Sequence, residues 1–73
     1  MMDIAVVSSS NRLYRDFIGY TVQVNSINFI HVYSVEDIRG RSLFDEYILL
    51  YDYRKIEHYD QLIYELKSRI KKK

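Results

Sequence analysis

Hydrophobic positions along the chain fall into five segments, and the period of each predicts an element. Asp3 to Val7 reads Asp-Ile-Ala-Val-Val, a β-branched run without helical period, which predicts a first strand. Its apolar residues are continuous rather than alternating, so the strand is expected to be buried on both faces, as a central strand of a parallel sheet is. Leu13 and Phe17, with Tyr14 and Ile18, then fall at i and i+4, which predicts a helix over Arg12 to Ile18. Asn11 stands where an N-cap is expected, and Gly19 where a left-handed C-terminal cap is expected.

Ile27 to Val35 is rich in branched and aromatic residues and predicts a second strand, whose mixed polarity, beginning with Asn28, suits a sheet edge. A charged loop follows, broken by Gly40, with Glu36 to Ile38 able to form one helical turn. Tyr47 to Tyr51 is a second continuously apolar run and predicts a third strand beside the first. Tyr59, Leu62, Ile63, Leu66 and Ile70 then give an i, i+3, i+4, i+7 stripe, which predicts a helix over Glu57 to Lys71. The expected fold is α/β, one domain over 1–73 of order β-α-β-β-α, with a three-stranded, mainly parallel sheet. A right-handed crossover then sets the first helix on one face of that sheet.

Composition narrows this picture. With 48% hydrophobic and 15% aromatic residues, two glycines and no proline, the chain is expected to be ordered throughout. A domain of 73 residues buries only about 60% of the surface its unfolded form exposes, and the chain has no cysteine to supply a disulfide or a thiolate metal site. The remaining device is self-association, so a homodimer is expected. No apolar run approaches the ~20 residues of a membrane span, and Met1-Met2-Asp3 lacks the basic opening of a secretory signal, so a cytoplasmic protein without membrane contact is expected. The formal net charge of +1 conceals a basic end at Lys67, Arg69, Lys71, Lys72 and Lys73. Cations there complement the helix macrodipole, the reading preferred over nucleic-acid contact.

Candidate chemistry gathers at two turns. If the first and third strands are parallel neighbours, the turn Ser8-Ser9-Ser10-Asn11-Arg12 and the turn Asp52-Tyr53-Arg54 share the carboxyl edge of the sheet, where open α/β folds bind ligands. Hydroxyls, a helix N-terminus and Arg12 suit an anion such as phosphate, although serine and asparagine are also ordinary caps. Tyr53, beside Asp52 and Arg54, is the tyrosine of the eight with the best claim to a functional role. Neither His31 nor His58 has a partner arrangement suited to a catalytic base, and Ser9 lacks the glycines of a nucleophile elbow. No cofactor, metal site or enzymatic activity is expected.

The phrase from Arg39 through Gly40, Arg41 and Ser42 to Leu43-Phe44-Asp45-Glu46-Tyr47-Ile48-Leu49-Leu50-Tyr51-Asp52 resembles the stretch leading into the metal-binding strand of P-loop NTPases of the helicase and terminase kind. By that resemblance Asp52 stands at the position of the magnesium-coordinating acid. The chain departs from the family in having no Gly-x-x-x-x-Gly-Lys-[Ser/Thr], so the usual phosphate cradle is absent. Most of the chain also resembles short bacteriophage proteins that are stripped-down relatives of that core. The resemblance implies a phage or mobile-element accessory or inhibitor that is not hydrolytic and holds a nucleotide or a host protein. The expected ligand-binding residues are Ser8, Ser9, Ser10, Asn11, Arg12, Arg39, Arg41, Asp52, Tyr53 and Arg54. The alternative is a nucleic-acid-binding module working through Arg12, Arg15, Arg39, Arg41, Arg54 and the lysine tail, which would show as steep salt dependence.

Overall fold

The computed structural model describes residues 2–21, 26–39 and 43–71. Three strands, β1 (Met2–Val7), β2 (Ile27–Val32) and β3 (Glu46–Leu49), form one sheet of order β2-β1-β3 in which both pairings are parallel. Helices α1 (Asn11–Tyr20) and α2 (Tyr59–Ser68) follow β1 and β3, and single 3-10 turns cover Val35–Asp37 and Tyr53–Lys55. The α/β class, the central place of the first strand and the edge position of the second are as the sequence predicts.

Register decides which side chains share a face, because successive residues of a strand point to opposite sides. Ala5 and Val7 align with Ile30 and Val32 of β2 and with Tyr47 and Leu49 of β3. Against this face pack Ile38, Phe44, Ile56, Leu62 and Leu66, which form the main core with Ala5, Val7 and Val32. Ile4 and Val6 point the other way, beside Phe29 and His31, and there α1 lies across the sheet, its Tyr14 on His31 and its Phe17 on Phe29. The connection from β1 to β2 thus crosses one face. The connection from β2 to β3 runs the opposite way along the sheet, over the other face, so the two crossovers have the same hand.

Element ends differ from the sequence expectations, each for a local reason. Ser10, not Asn11, is the cap of α1: its backbone is extended (φ −125°) and its hydroxyl accepts the Leu13 N–H at 3.3 Å. Asn11 is the first helical residue. Gly19 lies inside α1, which runs to Tyr20 and closes on extended Thr21, whose hydroxyl donates to the Phe17 carbonyl at 2.6 Å. β2 stops at Val32 because Asp37 Oδ2 accepts the N–H groups of Tyr33 (2.9 Å) and Ser34 (3.0 Å), which turns the chain out of the sheet. β3 starts and ends earlier than expected, Leu50 and Tyr51 already belonging to the following turn. α2 is shorter than its hydrophobic stripe. It begins after His58, whose left-handed backbone (φ 58°, ψ 38°) allows no regular helix upstream.

Ile70, the last member of that stripe, leaves the helix and pairs with Phe44 instead. The Phe44 N–H donates to the Arg69 carbonyl and the Lys71 N–H to the Phe44 carbonyl, both at 2.8 Å. Asp45 completes this junction of the two ends of the chain, accepting the Asp3 N–H at 2.7 Å and facing Lys71 Nζ at 3.4 Å.

Candidate functional site at the carboxyl edge of the sheet

The chain leaves β1 toward β2 and returns on the far side of β1 as β3, so the carboxyl ends of β1 and β3 flank the point where the winding reverses. Open parallel sheets leave a crevice at such a point. Both turns predicted from the sequence meet there. Ser8 Oγ donates to Asp52 Oδ2 at 3.2 Å and Ser9 Oγ to the same oxygen at 2.9 Å.

The meeting changes the chemistry of the turn. Ser8 is fully buried, accepts the Ser10 N–H at 3.1 Å and shares its proton between Asp52 and the Ser10 carbonyl, 3.0 Å away. Ser10 caps α1. The Ser8 and Ser9 hydroxyls are therefore spent within the protein and that of Ser10 accepts a cap bond, so a carboxylate stands where an incoming anion was expected. Asp52 is only 5% exposed, and its Oδ1 has no hydrogen-bond partner. An unpaired buried oxygen of this kind costs about 1–3 kcal/mol, more when charged.

Cations lie at the rim rather than in the turn. A cavity of about 360 Å³ is lined by Ser10, Arg12, Asp16, Tyr51, Asp52 and Lys55. The N–H groups of Asn11 and Arg12, in the first turn of α1, take no partner among the described residues, as is usual at a helix start. A second cavity, of about 530 Å³, opens on the other side of Lys55 and reaches Ser9, Tyr33, His58 and Gln61. A third, of about 390 Å³, is lined by Ser9, Asn11, His31 and Tyr33. Lys55 joins the first two cavities, and Ser9 with Tyr33 joins the second and third.

Of the sequence-predicted residues, Ser8, Ser9, Ser10, Arg12 and Asp52 come together at this edge, with Asn11 in the neighbouring cavity. Tyr53 does not join them: its ring turns inward, edge-on to Tyr59 at 5.6 Å, and packs on the core. Arg54 lies over the Tyr53 ring and donates its Nε–H to the Tyr53 hydroxyl at 3.2 Å, a bond that raises its pKa further. Arg39 is on the α2 side, facing Glu36 at 3.4 Å and Glu65 at 4.0 Å. Arg41 lies outside the described residues. The described arginines of the nucleic-acid alternative are thus spread over opposite faces of the sheet.

Two contributors escaped the sequence reading. Lys55 is three residues beyond Asp52, and a 3-10 turn returns i+3 to the same side, so the turn chemistry itself pointed to it. Phe29, His31 and Tyr33 alternate along β2, an aromatic row hidden within an apparently irregular strand. His31 Nε2 lies 3.1 Å from the Ser8 carbonyl, which can only accept, so that nitrogen carries the proton. Tyr14 stacks on His31 and donates to the Phe29 carbonyl at 3.2 Å, and burial raises its hydroxyl above the ordinary tyrosine value.

Among the described residues no group of three or more histidine, aspartate or glutamate side chains is placed to hold a metal ion, and no helix is long and apolar enough to cross a membrane. No protein family, curated protein or solved structure matches the chain.

Proposed function

We propose that this chain is a non-enzymatic binding protein that holds a phosphate-bearing ligand at the carboxyl edge of its sheet. The observation that carries the reading is the cavity at the winding reversal, where Arg12, Lys55 and the first-turn amides of α1 offer donors to an anion in a lining that Asp16 and Asp52 share. Asp52 already occupies the serine turn, so the phosphate belongs on the Arg12 and Lys55 side of the cavity. The absence of a glycine-rich cradle and of a poised base fits retention of the ligand rather than its hydrolysis. The resemblance to small phage proteins adds an accessory or inhibitory role in which a nucleotide is sequestered.

A thermal-shift screen against inorganic phosphate, pyrophosphate and nucleotides tests this. A ligand at a hundred times its Kd stabilises the fold by about 2.7 kcal/mol, on the order of 10 °C or more for a chain this small. Arg12→Ala and Lys55→Ala should each reduce the shift. If no phosphate compound raises Tm, the small-ligand reading fails and a host protein becomes the partner to seek.

We propose in addition that the working unit is a homodimer. No residue of α1 is buried, and a groove of about 410 Å³ between α1 and the end of β3 is lined by Leu13, Phe17, Tyr20, Leu50 and Tyr51, with Tyr20 92% exposed. Arg15 and Asp16 form no ion pair among the described residues, which leaves opposite charges on α1 open to a two-fold contact. Light scattering should find a dimer that Tyr20→Asp dissociates. A monomeric wild type at high micromolar concentration refutes it.

A further inference from the structure

We propose that the cavity at the end of β2 receives the planar base of a nucleotide, so that the ligand of this edge is a nucleotide rather than a simple phosphate ester. The inference rests on the phosphate reading above and adds a second subsite to it.

Three rings form a row beneath that cavity. Tyr14 and His31 are parallel within 7° at 4.5 Å, and His31 and Tyr33 are tilted by 43° at 5.3 Å. Two of the three rings are anchored, His31 by its bond to the Ser8 carbonyl and Tyr14 by its bond to the Phe29 carbonyl. Tyr33 ends the row and is 56% exposed, while Tyr20 and Tyr64, also exposed, stack on no ring. An aromatic row anchored at one end and open at the other offers a π-face to another planar ring.

Asn11 supplies the polar edge. Asn11 is exposed, its carboxamide takes no partner among the described residues, and it lines the cavity with Ser9, His31 and Tyr33. One carboxamide presents a donor and an acceptor side by side, the pattern that a nucleobase edge complements. Ser9 and Tyr33 also border the larger cavity that reaches Lys55. A base on Tyr33 and a phosphate at Lys55 can therefore belong to one molecule.

Calorimetric titration of the full chain with AMP, GMP, CMP, UMP and ribose 5-phosphate tests the inference. At least one nucleoside monophosphate should bind about tenfold or more tighter than ribose 5-phosphate, the gain expected of one base stacked on one aromatic ring. Tyr33→Ala should erase that ratio and leave ribose 5-phosphate binding unchanged, Asn11→Ala should reduce the ratio, and Tyr33→Phe should retain it. Lys55→Ala should weaken both classes alike. Because Tyr33 and Asn11 are exposed, both variants should melt close to the wild type. As a second readout, the His31 ring protons should shift on adding the monophosphate and stay in place with ribose 5-phosphate. If ribose 5-phosphate binds as tightly as every nucleotide, or Tyr33→Ala keeps the ratio, the base subsite is refuted while the phosphate reading survives. If neither class binds, both fall.

Discussion

Replacing Asp52 by asparagine removes one buried negative charge and leaves the shape of the side chain intact. In the wild type a single oxygen accepts the Ser8 and Ser9 hydroxyls, while the other has no partner and the residue is 5% exposed. Asparagine can still accept both hydroxyls through its carbonyl. Its N–H2 then inherits the unpartnered position, so the cost of an unpaired atom nearly cancels between the two proteins. What differs is the charge. Two charge-assisted bonds become neutral ones, a loss of about 2 kcal/mol in total. Against this, the desolvation of a buried carboxylate, worth several kcal/mol, is removed. The nearby start of α1 returns at most about 1–2 kcal/mol to the charged form.

Desolvation wins this comparison. Asp52→Asn should be as stable as the wild type or more stable, by about 1 kcal/mol, which for this chain length is a rise in Tm of about 4–8 °C. Thermal melts and urea titrations at neutral pH, without phosphate, measure it, and an unchanged m-value guards against a change in the unfolded state. Destabilisation beyond about 2 kcal/mol would mean that the carboxylate is held by favourable interactions. The view of Asp52 as a group retained at a cost in stability would then be wrong.

Other expectations follow from single contacts. Asp45 has its pKa lowered, chiefly by the Asp3 N–H and then by Lys71, so its stabilising effect is full above the unfolded value and lost as pH falls through the folded one. Asp45→Asn should therefore be less stable than the wild type at neutral pH and equal to it in acid, and a constant gap across an acid titration would refute this. Gly19→Ala should stabilise by about 0.5–1 kcal/mol, because Gly19 is helical and a Cβ there meets nothing within 4 Å. A lower Tm would show that the helix end is misplaced. Ser10→Ala should cost about 1 kcal/mol in urea titration and Asn11→Ala clearly less, the reverse order restoring Asn11 as the cap. Phe44→Ala, at a fully buried site, should cost about 3–5 kcal/mol, a large share of the ~4–11 kcal/mol expected for the whole chain.

Much of the architecture was legible because it depends on local pattern. Ile4 to Val7 is continuously apolar, and only a strand covered on both sides tolerates that, which placed β1 at the centre before any contact was known. The helical stripe from Tyr59 to Leu66 was equally direct. The meeting of the serine turn with Asp52 also followed from topology, since parallel neighbours end at the same edge. Tertiary packing decided the rest. Ile70 continues the helical period, yet it leaves α2 because pairing with Phe44 satisfies two backbone groups of the segment that leads into β3. Ser10 displaced Asn11 as cap because the Ser8 hydroxyl already holds its N–H and sets where the helix begins.

Charge placement was the least legible part, since a sequence shows which groups exist but not which are already paired. Serines read as donors for a ligand are spent on Asp52, Arg39 is turned to glutamates on the far face, and Tyr53 is packed on Tyr59. Lys55 and Tyr33 entered the site only through the return of a 3-10 turn and the parity of a strand. Periodicity alone determined the strands, the helices and the central place of β1. Three-dimensional packing decided which side chains at the carboxyl edge are already paired, because pairing is settled by distances between residues far apart in the chain.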